Sequence, residues 1–331
     1  MTRWSTALKT AGVTDPRLRR AYDAQRRLVR RFAPHEYAAV RLLLPPELHP
    51  PAVAAVAYMH ATDELIDTGA VDVRTTVLTS WDAETTAALD GSELPADETL
   101  LALRDTTLRH PYLAARVRAF LDGATVEAQW TGFATEADFQ AYVDSYALPA
   151  LMLTASLLAP DPDAGPDDPY VRGCRALIEG LQRTDFLADL AEDAEDGRIG
   201  IPEDELVRHG LKFEDLRSRS EAAVPALERL VHEQADLAEA TLPEGRTLPA
   251  LVAAEHRPFL DALIAVQELR LRAVRREGGK LIRRGANPAV LGGLGVLARQ
   301  YRRARAARRR ARWGLAGGSG RRKETVADQR R

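Results

Sequence analysis

Apolar residues recur every three or four positions along most of this chain, which is the spacing of amphipathic helices. Alternation with a period of two, the pattern of strands, is nearly absent. Prolines separate the helical segments, for example at Asp15-Pro16, Pro45-Pro46 and His110-Pro111. The pattern therefore predicts an all-α chain. The predicted helices cover residues 16–32, 37–44, 52–66, 74–89, 98–109, 112–131, 137–158, 170–195, 213–239 and 248–276, with a short helix over 202–210.

One of these helical segments carries a row of acidic residues. Its sequence from Leu181 to Pro202 is LQRTDFLADLAEDAEDGRIGIP, with Asp185, Asp189 and Asp193 four residues apart. This spacing stacks the three carboxylates on one helix face, about 6 Å apart. Like charges at that spacing destabilise a helix. The row is therefore either a solvated acidic surface or a binding site for a hard divalent cation.

A second acidic pair favours the binding site. Tyr58–Gly69 reads YMHATDELIDTG, with Asp63 and Asp67 four residues apart and His60 one turn earlier on the same face. Two aspartate pairs on two helices can face each other across the core of a bundle. Since Mg²⁺ prefers a few carboxylates together with phosphate oxygens, the sequence predicts Mg²⁺ bridging both pairs to a diphosphate. The predicted metal ligands are Asp63, Asp67, Asp189 and Asp193.

Composition limits the class of protein further. Hydrophobic residues make up 45% of the 331 residues, which is normal for a globular core. No apolar run reaches the roughly 18 residues of a membrane span, and the N-terminal segment lacks the apolar region of a signal peptide. Cys174 is the only cysteine, which excludes an intrachain disulfide. These features predict a cytoplasmic protein.

The charge of the chain is unevenly distributed. Residues 299–331 hold 13 of the 46 basic residues and two of the 48 acidic residues. We therefore predict one domain over 1–298 and a basic, disordered tail over 299–331. The alternative for the tail is a peripheral contact with anionic lipid headgroups. Nucleic acid is not expected as a partner, because only Tyr301 and Trp313 could stack on bases and no binding motif is present.

The motifs together resemble those of the squalene/phytoene synthase family, the head-to-head isoprenyl diphosphate synthases. Leu43–Pro45 precedes the Asp63–Asp67 motif at the spacing of that family, and residues 182–202 are in register with its second aspartate motif. Leu121–Gly123 resembles its short LxDG segment, and Tyr142 lies where a pocket tyrosine is expected. No GxSxG, GxxxxGK[ST] or HExxH motif points to another chemistry.

The resemblance implies a single-domain isoprenoid-synthase bundle around a central apolar cavity. It implies Mg²⁺ as the cofactor and C15 or C20 prenyl diphosphates as substrates, two of which are joined head to head with release of diphosphate. Tyr142 and Gln182 are then candidates for orienting the substrate. Arg198 is a candidate for covering the phosphates when the loop at Gly197 closes. His60, which replaces a family arginine, is the fourth candidate catalytic residue.

Groups that hold diphosphate or shape the pocket in the family are replaced here, whereas the metal-binding aspartates are kept. The replaced positions are His60 (arginine in the family), Ala188 (arginine), Asp185 (asparagine), Ala33-Pro34 (His-Ser) and Gly200 (tyrosine). Two alternatives to head-to-head synthesis therefore stay open. One is a terpene synthase or cyclase that uses a single diphosphate. The other is a non-catalytic homologue that binds a partner, although such a protein has little use for clustered, repelling aspartates.

Overall fold

A computed structural model of the protein describes residues 3–67, 69–91, 93–286 and 292–308. These residues form helices and no strand, so the all-α prediction is confirmed. The α-helices are α1 (Trp4–Thr10), α2 (Pro16–Phe32), α3 (Pro34–Leu43), α4 (His49–Ile66), α5 (Val71–Asp90), α6 (Glu98–Arg109), α7 (Tyr112–Gln129), α8 (Glu136–Tyr142), α9 (Leu148–Ala155), α10 (Pro169–Ala188), α11 (Leu190–Glu195), α12 (Glu203–Arg208), α13 (Phe213–Arg217), α14 (Val224–Ala240), α15 (Leu242–Gly245), α16 (Leu248–Leu251) and α17 (Arg257–Glu277). A π turn (Val143–Ala147) joins α8 to α9, short 3-10 turns cover Pro46–Leu48, Glu221–Ala223 and Gly278–Ile282, and residues 292–308 form a further helix.

The helix starts follow capping residues that are visible in the sequence. The side chains of Asp15 and Asp97 accept hydrogen bonds from backbone N–H groups in the first turns of α2 and α6. Thr135 and Asp138 form a reciprocal capping box at the start of α8. These bonds satisfy N–H groups that have no partner within the helix. The predicted bounds of α2 and α6 are accordingly confirmed.

Four long helices predicted from the pattern are wrong because each is interrupted, namely those over 137–158, 170–195, 213–239 and 248–276. The predicted helix over 213–239 is divided into α13 and α14 by a turn in which Arg219 has a φ of 53°. The predicted helix over 248–276 is divided into α16 and α17 at residues 252–256. Pro225 and Pro258 lie in the first turns of α14 and α17, where the missing proline N–H costs nothing. Proline therefore starts a new helix at both places.

The helices α4 and α10 carry the two aspartate motifs and are held on either side of α9. α9 packs against both of them, and α10 also contacts α14, α15 and α17. Buried apolar side chains of one cluster connect the three helices, including Ala52 on α4, Met152 on α9 and Leu177 on α10. The packing of α9 thus fixes how the two motif-bearing helices lie relative to each other.

A close contact between α7 and the π turn depends on Gly123, the glycine of the LxDG segment. A Cβ atom on this residue would lie 2.1 Å from the carbonyl oxygen of Ser145 and 3.0 Å from the Cα atom of Tyr146. Glycine is therefore required for the two backbones to approach this closely. The contact determines the position of Tyr146, which is part of the candidate site.

The first part of the predicted tail differs from the expectation of disorder. Residues 299–308 continue a helix whose buried Val296 and Ala304 pack in one cluster with Leu43 of α3 and Ala262 of α17. The Arg308 Nη2 atom donates a hydrogen bond of 2.7 Å to a main-chain oxygen at the end of α3. Because apolar residues lie between the arginines, one face of this helix can pack against the rest of the protein. The boundary at residue 298 stays a prediction, and residues 309–331 lie outside the described part of the chain.

The lengths and hydropathy of the described helices agree with the sequence pattern. Among the described residues, no helix has both the length and the apolar character needed to cross a bilayer.

We expect the substitution Gly123→Ala to destabilise the protein, although alanine favours helix formation over glycine by up to about 1 kcal/mol. The added Cβ atom would force α7 and the π turn apart. Thermal unfolding followed by circular dichroism measures the effect, with an expected loss of several degrees. The matched control is Gly165→Ala in an exposed loop, where a Cβ atom meets nothing within 4 Å. Equal melting temperatures for the two variants would contradict the proposed close contact.

Candidate active site

The first aspartate motif lies at the C-terminal end of α4, a helix with residues such as Tyr58 and Ile66 fully buried. The Tyr146 hydroxyl donates a hydrogen bond of 2.7 Å to the Asp63 Oδ1 atom. Burial raises the pKa of Asp63 to about 7, since this hydrogen bond only partly offsets desolvation and Asp67 adds a like charge. Burial also raises the pKa of Asp67. Ionisation of both aspartates of this motif is therefore unfavourable.

The second motif is not a single uninterrupted helix, which corrects the prediction of one helix over 170–195. α10 ends at Ala188, and Asp189, with φ −100° and ψ 6°, separates it from α11. The hydrogen-bond register nevertheless continues, because the Asp189 N–H donates to the Asp185 carbonyl and the Asp193 N–H donates to the Asp189 carbonyl, both at 2.9 Å. The three aspartates thus still lie on successive turns.

Burial dominates the electrostatics of this second motif as well. It raises the pKa of Asp185 to about 6 and that of Asp193 to about 7, and the neighbouring charge of Asp189 raises the Asp193 pKa further. Burial raises the pKa of Asp189 too. Both motifs therefore gather carboxylates whose charges are poorly compensated.

Arg198 connects the two motifs. It follows Gly197, whose φ of +80° turns the chain back after α11, and its N–H donates to the Asp193 carbonyl at 2.9 Å. The positive charge of Arg198 lowers the pKa values of both Asp67 and Asp193, so it acts electrostatically on a carboxylate of each motif. Its guanidinium also lies 5.5 Å from the centre of the Trp130 ring. Arg198 is thus the charged residue that the two motifs share.

Glu127 is a buried acid of this site that the sequence analysis missed. It lies on α7 and is 9% exposed. Burial raises its pKa, the Tyr142 hydroxyl offsets part of this rise, and the charge of Asp67 raises the pKa further. One sequence feature could have identified Glu127: it is an acidic residue on the buried face of a helix, one turn after Gly123 of the LxDG segment.

Two further arginines, Arg74 and Arg270, were also missed. Arg270 of α17 forms an ion pair with Asp185, the residue that replaces the family asparagine. Arg74 of α5 is 5% exposed, and its charge lowers the pKa values of Asp67 and Glu127. Arg270 lies far from both motifs in the sequence, whereas Arg74 lies seven residues after Asp67 on the next helix, and the fold brings both to the carboxylates.

The structure gives the four predicted catalytic residues different surroundings. His60 stacks on Phe32 with ring centres 3.6 Å apart, and its Nε2 atom lies 3.3 Å from Glu64. Tyr142 is buried beside Glu127, and Arg198 lies between the motifs as described above. Gln182 is half-buried on α10, three residues before Asp185. The catalytic roles of these residues stay predictions.

Five aromatic residues pack together next to the carboxylates and are named the aromatic cluster. Ring centres within the cluster lie 5.3–6.4 Å apart. Its members are Trp130, Phe133, Phe139, Tyr142 and Phe186. Two cavities of the described part, of about 370 and 190 Å³, lie elsewhere, the first near α1 and α6 and the second between α17 and the helix over 292–308. Neither is lined by an aspartate of the two motifs, so the predicted central cavity stays a prediction.

The donor set of the two motifs suits a hard divalent cation. Carboxylate oxygens are the ligands that Mg²⁺ prefers, and uncompensated carboxylates in a shared space gain most from a bound cation. A separate group of potential ligands consists of Glu205, His209 and Glu233, whose ligand atoms lie within 4.8 Å of one another. Arg208 forms ion pairs with both of these glutamates, so their charge is already compensated.

Comparisons with known proteins match this fold and motif pattern. A family model described as squalene/phytoene synthase matches residues 30–316. The bifunctional protein CrtB/UppS of Streptomyces coelicolor is 30% identical over 285 residues, which are 85% of this chain and 48% of that protein. A phytoene synthase of Mycobacterium bovis is 31% identical over 196 residues, which are 59% of this chain and 62% of that protein. This chain thus spans about half of the first relative and somewhat more of the second.

The solved structure of the squalene synthase HpnC from Alicyclobacillus acidocaldarius has a similar fold. Its TM-score is 0.68 at 24% identity, over 81% of this chain and 98% of that chain. The bundle with two facing aspartate motifs is therefore that of an all-α isoprenoid synthase. Within this class, the chain belongs to the squalene/phytoene synthase family, and the resemblance that the motifs indicate is confirmed.

We expect the metal-free protein to lose stability as the pH rises from 4 to 7. Asp63 ionises near its ordinary pKa of 3.8 when unfolded but near 7 when folded, so unfolding releases a proton in this range. Asp63→Asn removes this effect. The melting temperature of the variant relative to the parent protein should therefore rise by a few degrees between pH 4 and 7, and then stay constant.

Differential scanning fluorimetry in EDTA measures this difference at each pH. The matched control is Asp122→Asn, which changes an exposed aspartate of α7. A difference between Asp63→Asn and the parent that does not change with pH would contradict the raised pKa.

Proposed function

We propose that this protein is a Mg²⁺-dependent prenyltransferase that ionises allylic C15 or C20 prenyl diphosphates and condenses two of them head to head. The observation that carries the proposal is the meeting of two aspartate motifs at Arg198, directly beside an aromatic cluster. Membership of the squalene/phytoene synthase family supports it. A polyanionic leaving group and a long apolar chain require this combination of charge and aromatic surface.

Asp63, Asp67, Asp189 and Asp193 would hold Mg²⁺ in the proposed mechanism. Mg²⁺ held by these residues would supply the positive charge that offsets the negative charge developing on the diphosphate leaving group. The electron pair of the allylic C–O bond leaves with the diphosphate oxygen. Tyr146 keeps the Asp63 carboxylate oriented through its hydrogen bond of 2.7 Å. An oriented Asp63 carboxylate would in turn hold the metal ion and the diphosphate in one position before the bond breaks.

Three arginines supply the positive charge that the motifs lack. His60 and Ala188 stand where the family has arginines, and an imidazole cannot provide the two-pronged hydrogen bonding of a guanidinium. Arg74, Arg198 and Arg270 lie close to carboxylates of the two motifs in their place. We infer that Arg198 contacts the phosphates, since it alone lies near both motifs among these three. The aromatic cluster excludes water from the carbocation.

The second candidate function is a terpene synthase or cyclase that ionises a single prenyl diphosphate on the same site. The surroundings of His60 favour this alternative, because its ring is stacked on Phe32 and its Nε2 atom faces Glu64. An imidazole so engaged offers little to a second diphosphate. Product size distinguishes the two functions, since condensation doubles the number of carbon atoms and cyclisation preserves it.

We expect the purified protein to convert a C15 or C20 prenyl diphosphate, in the presence of Mg²⁺, to a C30 or C40 hydrocarbon. The assay incubates C10, C15 and C20 diphosphates separately and analyses the extracts by mass spectrometry. A product with the carbon number of its substrate would instead establish the second candidate function. Absence of turnover with all three would contradict both.

The aspartate variant Asp193→Asn tests the site in the same assay. Loss of one metal-binding carboxylate should weaken the hold on Mg²⁺, which stabilises the developing diphosphate charge, and should thereby lower kcat/KM at least about 100-fold. The matched control is Asp204→Asn, an exposed aspartate of α12 outside the two motifs. Equal activities of the two variants would show that the reaction takes place elsewhere.

We further propose that the helix over 292–308 gives the enzyme a peripheral contact with anionic membranes, where an apolar product can be released. Arg299, Arg302 and Arg305 are exposed on this helix, whereas Ala304 faces the protein. Each basic residue near such a surface contributes about 1 kcal/mol. The contact is thus an electrostatic one.

We expect replacement of Arg299, Arg302 and Arg305 by glutamine to weaken binding to phosphatidylserine-containing vesicles about 100-fold, as three lost charges imply. Co-sedimentation at low salt measures the partition, and vesicles of phosphatidylcholine alone provide the control. Unchanged binding of the triple variant, or equal binding of the parent protein to both vesicle types, would contradict the proposed contact.

A further inference from the structure

Phe186 connects the second aspartate motif to the aromatic cluster. It follows Asp185 directly in α10, and its ring centre lies 5.5 Å from that of Trp130 and 6.1 Å from that of Tyr142. Only 9% of the residue is exposed. Its ring therefore lies where the charged part of the site meets the apolar part.

Gly200 makes room for this ring. A Cβ atom at position 200 would lie 2.0 Å from the Cγ atom of Phe186 and 2.1 Å from its Cδ1 atom. No side chain other than hydrogen fits there unless the ring moves. The family pattern has a tyrosine at this position, which could not coexist with Phe186 in its present place. The two residues are therefore sterically coupled across the loop that follows the second motif.

The aromatic cluster is the apolar surface that adjoins both halves of the charged site. Tyr142 adjoins the first half, because its ring centre lies 5.5 Å from that of Tyr146, whose hydroxyl donates to Asp63. Trp130 reaches the second half, because Arg198 lies over its ring and beside Asp193. A diphosphate held by the carboxylates and arginines would direct its prenyl chain away from them and onto this surface.

We propose that Phe186 sets the length of the prenyl chain that the site accepts, and that Gly200 is the residue that allows its ring to do so. This inference rests on the proposed function. Phe186 is the one member of the aromatic cluster on a motif-bearing helix, so its ring meets the chain close to the diphosphate. The ring limits the depth available to the prenyl chain, and a smaller residue lengthens the space by the volume of the ring.

We expect Phe186→Ala to shift substrate preference toward a longer prenyl chain. Steady-state diphosphate release is measured with C10, C15 and C20 diphosphates, and with the C25 diphosphate where the parent prefers C20, in Mg²⁺ for the parent protein, Phe186→Ala and the milder Phe186→Leu. The ratio of kcat/KM for the next longer substrate to that for the parent's best substrate should rise at least about tenfold in Phe186→Ala. Phe186→Leu should show a smaller rise in the same direction.

The matched control is Phe139→Ala, which removes another ring of the aromatic cluster. Phe139 is 1% exposed, lies on α8 and not on a motif-bearing helix, and has the guanidinium of Arg183 4.2 Å from its ring centre. This variant loses packing as Phe186→Ala does, but its chain-length ratio should stay within about twofold of the parent. An equal shift in both variants would mean that loosened packing, and not Phe186, sets the preference.

The coupling to Gly200 is tested by stability, independently of activity. Gly200→Ala should lower the melting temperature in the parent protein but much less in the Phe186→Ala background, where the clashing ring is absent. Equal losses in both backgrounds would overturn the steric pairing.

The outcomes separate this inference from the function on which it rests. If the parent protein turns over prenyl diphosphates and both Phe186 variants keep its chain-length ranking, the inference is wrong and the proposed function stands. If the parent protein turns over none of the three diphosphates, the proposed function is wrong and the inference falls with it.

Discussion

Carboxylates held together inside a protein repel one another and lose hydration, and the site depends on how this cost is offset. Burial raises the pKa values of all five aspartates of the two motifs and of Glu127. Arg74, Arg198 and Arg270 approach them from three different parts of the chain and offset part of the repulsion. The remaining negative charge is what a divalent cation and a diphosphate would use. The same arginine charges thus stabilise the folded protein and would also bind the proposed diphosphate substrate.

Close backbone packing positions the neutral groups of the site. Gly123 allows α7 to approach the π turn, and that turn carries Tyr146 to its hydrogen bond with Asp63. A π turn shifts the following residues relative to a regular helix, which is why such turns occur often at functional sites. Position 123 of the LxDG segment therefore requires glycine for a structural reason that the motif alone does not reveal. Gly123 affects the site indirectly, because the π turn that it contacts carries Tyr146.

Two of the replaced family positions are compensated in three dimensions. Asp185 adds a carboxylate where the family has an asparagine, and Arg270 pairs with it. Gly200 removes an aromatic side chain, and Phe186 fills the space beside it. These two changes therefore keep the local charge balance and packing of the site. His60 gains a stacking partner in Phe32 but no new arginine on its own helix.

Local sequence determined much of this protein. The spacing of apolar residues, the capping aspartates and the prolines predicted an all-α fold and most helix bounds, because these signals act within one or two turns. The spacing of Asp63 and Asp67, and of Asp189 and Asp193, likewise identified the acidic centre of the candidate site. Local pattern failed where proline divided long apolar segments, and where an apolar face buried the first residues of a basic tail.

Only the tertiary structure decided which distant residues join these motifs. Glu127, Arg74 and Arg270 come from helices that carry no aspartate motif, and no spacing in the sequence identifies them as partners of the aspartates. The contact between Phe186 and Gly200 likewise cannot be inferred from their spacing in the sequence, although both residues lie within the second motif. The physical reason is that charge compensation and ring packing depend on distances through space. Those distances are fixed by how α4, α7, α10 and α17 pack, and no periodicity along the chain encodes them.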